Sequence, residues 1–92
     1  MTTYLHCGKC LRTFSAQVRD DKGTPQDHRN ELLKSDLKRV EHGRDFVGCA
    51  FDECKGSLSD FAWWKDVQAE AKVLGSNWPD QPISGYKYVL IK

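Results

Sequence analysis

The chain has 92 residues, with 14 lysines and arginines against 13 aspartates and glutamates and a formal charge of +1. That length limits it to one domain, residues 1–92, near the size at which an apolar core alone struggles to offset chain entropy. The near-neutral balance excludes indiscriminate binding to phosphate backbones. No window is apolar enough to cross a bilayer, and Met1 to Leu5 hold no signal-peptide core, so the expectation is a cytoplasmic protein.

In chain order, the first feature is the run Cys7-Gly8-Lys9-Cys10. Two thiols around a glycine suit a tight turn that aims both sulfurs and several backbone amides at one point. From Arg12 to Arg19, Phe14, Ala16 and Val18 alternate with polar residues, the pattern of a half-buried strand. The run Asp20 to Pro25 then has turn chemistry, with two carboxylates, a glycine and a proline. Thr24, Pro25 and Asp27 predict a helix start, and the helix is expected from Pro25 to Ser35 or beyond, with Leu33, Leu37 and Val40 along one face.

Gly43 either stops that helix or turns a hairpin with arms Lys38 to His42 and Arg44 to Cys49; helix first and hairpin after is favoured, because zinc ribbons deliver a ligand pair from such a hairpin. Cys49 and Cys54 follow, with four residues between them, within the spacing of zinc ligands. A second helix is expected to be capped by Ser57 or Ser59, with Asp60 in its first turn. Phe61, Trp64, Val67, Ala71 and Leu74 form its stripe, and Gly75 ends it. Trp63 falls off that stripe, so one ring of the Trp63–Trp64 pair is expected at the surface. The chain closes with Tyr86, Tyr88 and Leu90 alternating with Lys87, Val89 and Ile91, as in a terminal strand joining a sheet. The sum is a small α+β domain, a short antiparallel sheet and two helices stapled by a metal.

Cys7, Cys10, Cys49 and Cys54 are the candidate metal ligands. Four thiolates from two segments make a closed tetrahedral shell at about 2.3 Å around Zn2+. The competing arrangement is two disulfides, which a reducing compartment disfavours. His6 and His42 are substitute ligands or neighbours of the site, and His28 stands in a charged helix with no evident partner.

The string from Gly43 to Lys55, GRDFVGCAFDECK, resembles the second half of the C-terminal zinc fingers of bacterial type IA topoisomerases, and CGKC resembles the first half. The same segment, with Phe61 and Trp63 downstream, is similar to GRF-type zinc fingers. Asp52 and Glu53 stand where the topoisomerase fingers have one more residue and usually a proline. Both families hold single-stranded DNA, so the resemblance implies contact with unpaired nucleic acid.

Four thiolates leave no open coordination position for catalysis, and no phosphate-binding loop, nucleophile elbow or HExxH run occurs, so the expectation is a non-enzymatic protein. Arg44 and Lys55 flank the cysteines and are the first candidates for phosphate or base contacts, followed by Arg29, Lys34 and Lys38. Phe51, Trp63, Tyr86 and Tyr88 lie near cations and could stack bases, the alternative being that they fill a small core. The main expectation is a zinc module contacting single-stranded nucleic acid or a nucleoprotein. A compact phage-type inhibitor docking on a CRISPR complex through protein and guide RNA is the alternative, and a zinc-ribbon accessory factor of transcription or replication the third.

Overall fold

A computed structural model describes residues 2–32, 38–41, 44–49, 51, 53–83 and 85–90, with backbone alone at 38–41 and 44–47. Strand β1 (Thr2–Cys7) pairs antiparallel with β2 (Thr13–Gln17) on one side and with β5 (Phe61–Trp63) on the other. A 3-10 turn (Pro25–His28) runs into α1 (Arg29–Leu32), and β3 (Lys38–Glu41) and β4 (Arg44–Val47) form a separate two-stranded ribbon. A second 3-10 turn (Leu58–Asp60) precedes β5, which passes directly into α2 (Trp64–Val73).

The central strand distributes the core by its period of two. Leu5 lies opposite Phe14 and Trp63, and Cys7 opposite Phe61; these residues join Ala16, Val18, Leu32, Cys49 and Cys54 in one buried cluster. The alternate residues face the other side. Tyr4 and Ala62 pack against a second cluster of Trp64, Val67 and Tyr88, with Trp78 and Leu90 at its rim. One face of the sheet therefore carries the cysteines and the other carries α2.

This two-faced sheet explains the tryptophan pair. Both rings are buried, Trp63 at 1% and Trp64 at 3% exposure, against the expectation that one would be exposed. The reason is a change of element between them: Trp63 ends a strand and points to the cysteine face, while Trp64 opens α2 on the opposite face. Each indole keeps a hydrogen-bond acceptor, as buried indoles require. Trp63 Nε1 donates to the Gly23 carbonyl at 2.8 Å, and Trp64 Nε1 to the Pro79 and Asp80 carbonyls at 3.1 Å. Phe61 likewise belongs to β5 and not to a helical stripe, and Ser57 and Asp60 hold the 3-10 turn, with the Ser57 N–H donating to the Asp60 carboxylate at 2.9 Å.

Other expectations stand. Phe14, Ala16 and Val18 are buried along and just beyond β2. The Thr24 N–H donates to the Asp27 carboxylate at 2.8 Å at the start of the Pro25 turn, although that element is a 3-10 turn before it becomes helical, and Leu33, Lys34, Ser35 and Leu37 lie outside the described residues. Val40, expected on the helical face, instead pairs with Asp45 in the ribbon, because the hairpin follows the helix as favoured; its expected turn at His42 and Gly43 lies outside the described residues. Gly75, at φ 91°, ends α2, with the Ser76 N–H donating to the Ala71 carbonyl at 2.8 Å.

The terminal segment is a correction. Residues 86–90 form no strand; Tyr88 instead meets Leu11, whose φ of 67° breaks the strand repeat. The Tyr88 N–H still donates to the Leu11 carbonyl at 2.8 Å, and His6 Nε2 donates to the Tyr88 carbonyl at 2.8 Å. His6 is buried, and that burial outweighs the two backbone hydrogen bonds and lowers its pKa from the ordinary value.

Leu5, fully buried between its two cross-strand partners, sets the scale of this core. Leu5→Ala is expected to cost about 2–5 kcal/mol, whereas Val73→Ala, at a side chain 86% exposed, should stay within about 0.5 kcal/mol; urea unfolding of the two variants checks both.

Candidate metal centre

Cys7, Cys49 and Cys54 are each placed by a different local device. Cys7 is the last residue of β1, and the chain then folds back so that the Leu11 N–H donates to the Cys7 carbonyl at 2.8 Å and the Cys7 N–H to the Arg12 carbonyl at 3.0 Å. Leu11 carries the cost of that wrap, since a side chain beyond Gly in the left-handed region is strained by roughly 1–2 kcal/mol. Cys49 follows β4, held by its N–H to the Gly56 carbonyl at 3.1 Å and by the Gly48–Ser57 bridge. Cys54 closes a turn whose N–H donates to the Phe51 carbonyl at 3.0 Å. The Gly8 N–H, donating to the Asp60 carbonyl at 2.8 Å, ties the first loop to the turn before β5.

These devices bring the four sulfurs within 4.8 Å of one another. Cys7 Sγ lies 3.7 Å from Cys54 Sγ, and Cys10 Sγ 3.6 Å from Cys49 Sγ. Sulfurs at the corners of a tetrahedron with bonds of about 2.3 Å stand about 3.8 Å apart, so the cluster has the size of a metal shell. All four cysteines are free thiols, which sets aside the disulfide arrangement in this structure. The quartet could hold a metal ion, and it is the group of that kind among the described residues.

Burial and nearby backbone donors set the thiols' acidities apart. Burial pushes the Cys7 thiol up to about 11, and burial likewise raises Cys49. Cys54 shifts the other way: burial opposes ionisation, but the Gly56 N–H and the neighbouring thiols outweigh it and lower the pKa. The Gly56 N–H lies 3.4 Å from Cys54 Sγ, and a Cβ added at Gly56 would stand 2.8 Å from Cys7 Sγ and 3.3 Å from Cys54 Sγ. Gly56 thus shapes the site by close approach. Cysteine spacing does not point to it; the only sequence signal is a glycine two residues beyond the last thiol.

Beside the sulfurs, Arg12 forms an ion pair with Glu53 and lies over the Phe51 ring, 4.7 Å from its centroid. The hydrogen bond to Glu53 raises the arginine's pKa, and the same bond lowers that of Glu53. Arg12 is the residue that sequence reasoning missed here, its partner lying 41 positions away.

The expected binding residues are scattered. Lys55 is exposed beside the cysteines, as is Lys9, which was not among the expected residues; Phe51 is half-buried at their edge, and Arg29 is exposed on α1. Lys38 and Arg44 are placed by backbone alone on the β3–β4 ribbon, and Lys34 and His42 lie outside the described residues. Trp63 is a correction: its ring is enclosed in the core, with the His28 ring edge-on at 5.4 Å, and presents no face for stacking. Tyr88 is buried too, while Tyr86 is 57% exposed. His28 has partners after all, with Nε2 2.7 Å from the Lys22 carbonyl and Asp20 and Glu31 at 4.0 and 3.9 Å. Comparison of the chain with family models, curated proteins and solved structures returned no match.

Gly56→Ala is expected to lower metal affinity by about tenfold or more, the equivalent of an overpacking cost of about 1–3 kcal/mol, while Gly8→Ala, whose new Cβ would meet only the Asp60 carbonyl at 3.3 Å, should change it less. Competition with a chromophoric chelator measures both. Raised thiols hold their protons at neutral pH and must release them to ligate, so affinity for Zn2+ should climb with pH, by up to about tenfold per pH unit for each of Cys7 and Cys49. A flat profile in the same competition assay would exclude these thiols as ligands.

Proposed function

We propose that this chain is a non-enzymatic zinc module that contacts single-stranded nucleic acid or a nucleoprotein at the rim of its cysteine cluster. The observation that carries the reading is the convergence of four sulfurs from two distant segments within 4.8 Å. An all-sulfur tetrahedron suits Zn2+, which has no geometric preference of its own, and four thiolates close the shell, as in structural rather than catalytic sites. Three of the ligands are core residues, so the ion acts as a staple between the sheet and the 49–54 loop.

The rim supports the second half of the reading. Lys9 and Lys55 are exposed cations on the two cysteine loops, and Phe51 with Arg12 supplies an aromatic and guanidinium surface beside them. Such pairing suits a strand of unstacked bases, where rings meet bases and cations meet phosphates. The likeness of GRDFVGCAFDECK to single-strand-binding zinc fingers points the same way. The reducing cytoplasm is the compartment in which such a site persists.

Protein docking is favoured by a different observation: Ile83, Tyr86 and Val89 expose large apolar side chains along one terminal segment, at 64%, 57% and 52%. That surface would suit the inhibitor or accessory-factor reading, and Tyr86→Ser would then abolish recovery of a stoichiometric complex while leaving nucleic-acid binding intact.

Anisotropy titration of labelled single-stranded DNA and RNA tests the main reading. Binding should be weak and salt-dependent with a shallow slope, about −0.7 in log K per log salt for each of two or three phosphates neutralised. Lys55→Glu should weaken it several-fold without loss of zinc. No binding to either strand at low salt would remove the nucleic-acid half of the proposal, and metal-free protein purified under reducing conditions, with a melting curve that chelators do not move, would remove the zinc half.

A further inference from the structure

The four sulfurs are not equivalent. Cys7, Cys49 and Cys54 are buried, while Cys10 is partly exposed on a turn next to the exposed Lys9. All four sulfurs lie within 4.8 Å of one another, and Cys10 with Cys49 at 3.6 Å and Cys7 with Cys54 at 3.7 Å are close pairs that run between the segments. We propose that Cys10 is a site of reversible oxidation by hydroperoxides, and that its oxidation closes a Cys10–Cys49 disulfide followed by a Cys7–Cys54 disulfide. The inference rests on the reading of the cluster as a zinc tetrathiolate, in which the sulfurs are already nucleophilic thiolates.

The chemistry balances with one peroxide per pair. The Cys10 thiolate attacks a peroxide oxygen, an S–O bond forms, the O–O bond breaks and hydroxide leaves, giving a sulfenic acid. The Cys49 thiolate, 3.6 Å away, attacks the Cys10 sulfur; the S–S bond forms, the S–O bond breaks and a second hydroxide leaves. The pair has lost two electrons, the peroxide has gained them, and each hydroxide takes a proton from solvent. A second peroxide does the same at Cys7 and Cys54, 3.7 Å apart, and two disulfides no longer ligate an ion.

The pairing decides the consequence. A disulfide brings its sulfurs to about 2.05 Å, so each cross-segment pair has a short distance to close. Bonds between residues this far apart in sequence constrain the unfolded chain strongly. They replace the ion as the link between sheet and loop, so oxidation exchanges one staple for another. A Cys7–Cys10 bond would close only its own short turn and leave the segments untied.

The zinc-loaded full chain, treated with increasing hydrogen peroxide, tests this. Zinc release is read with a colorimetric chelator, the first sulfenic acid is trapped with a dione reagent, and linkages are mapped by non-reducing peptide mass spectrometry. The trapped residue should be Cys10. Release should track peroxide, and the map should show Cys10–Cys49 and Cys7–Cys54 with the far-ultraviolet circular dichroism retained. Reductant with zinc should then restore the starting state. Linkages within either segment, unfolding on oxidation, or zinc retained under excess peroxide would overturn the proposal. A reduced chain that binds no zinc overturns the premise instead, and the linkage map of that metal-free chain under glutathione disulfide then decides the pairing on its own.

Discussion

The meeting of residues 7–10 with residues 49–54 at four sulfurs is the constraint on which the rest of the structure depends. Three of those sulfurs are core atoms, packed in the same cluster as Leu5, Phe14 and Trp63. As thiolates in that setting they would each carry a desolvation penalty of several kcal/mol unless one divalent ion neutralised them together. As thiols they fit, and burial raises Cys7 and Cys49 accordingly. The protonation of the cluster and the occupancy of the site are therefore one variable. That variable acts on the core directly, since no linker or hinge separates the sulfurs from Leu5 and Phe61.

The sheet carries this constraint across the molecule. Because successive side chains of β1 point to opposite faces, His6 and Cys7 are neighbours in sequence but serve different layers. His6 is held from the α2 side by the Tyr88 carbonyl, and Leu11, which completes the cysteine turn, receives the Tyr88 N–H. The terminal segment thus braces the first cysteine loop from behind, at both residues that flank it. Trp78, stacked on Trp64 at 5.2 Å and tilted against Tyr88 at 5.3 Å, extends that brace to α2. A disturbance at the cysteine turn has a packed route to the opposite face through Leu11 and Tyr88.

Much of this was legible in the residues, and the failures have physical causes. Cysteine spacing located the cluster because metal chemistry demands few geometries, and Phe14, Ala16 and Val18 marked β2 because one face of that strand is apolar. The glycine at 75 announced its helix end through the left-handed backbone it adopts. β1 went unread because its inward residues are Leu5 and Cys7 and its outward ones Tyr4 and His6, so no polar alternation survives in a strand buried on both faces. β5 was absorbed into the following helix because Phe61 stands three residues before Trp64, a spacing that strand and helix both allow. The terminal segment has strand composition, but composition cannot reveal that its neighbour, Leu11, lies outside strand geometry.

The burial of Trp63 takes the largest ring of the cysteine face away from the surface. An aromatic-rich sequence suggests stacking surfaces, yet Phe14, Phe61, Trp63, Trp64 and Tyr88 are spent on two small cores, as the surface-to-volume ratio of so short a chain requires. Among the described residues, cations with Phe51 stand around the sulfurs, Ile83, Tyr86 and Val89 are exposed on the terminal segment, and Val73 and Leu74 are exposed at the end of α2. The first set offers charge and a ring; the second offers apolar area with Lys87 beside it. It is on these two surfaces together that the proposed nucleoprotein partner rests.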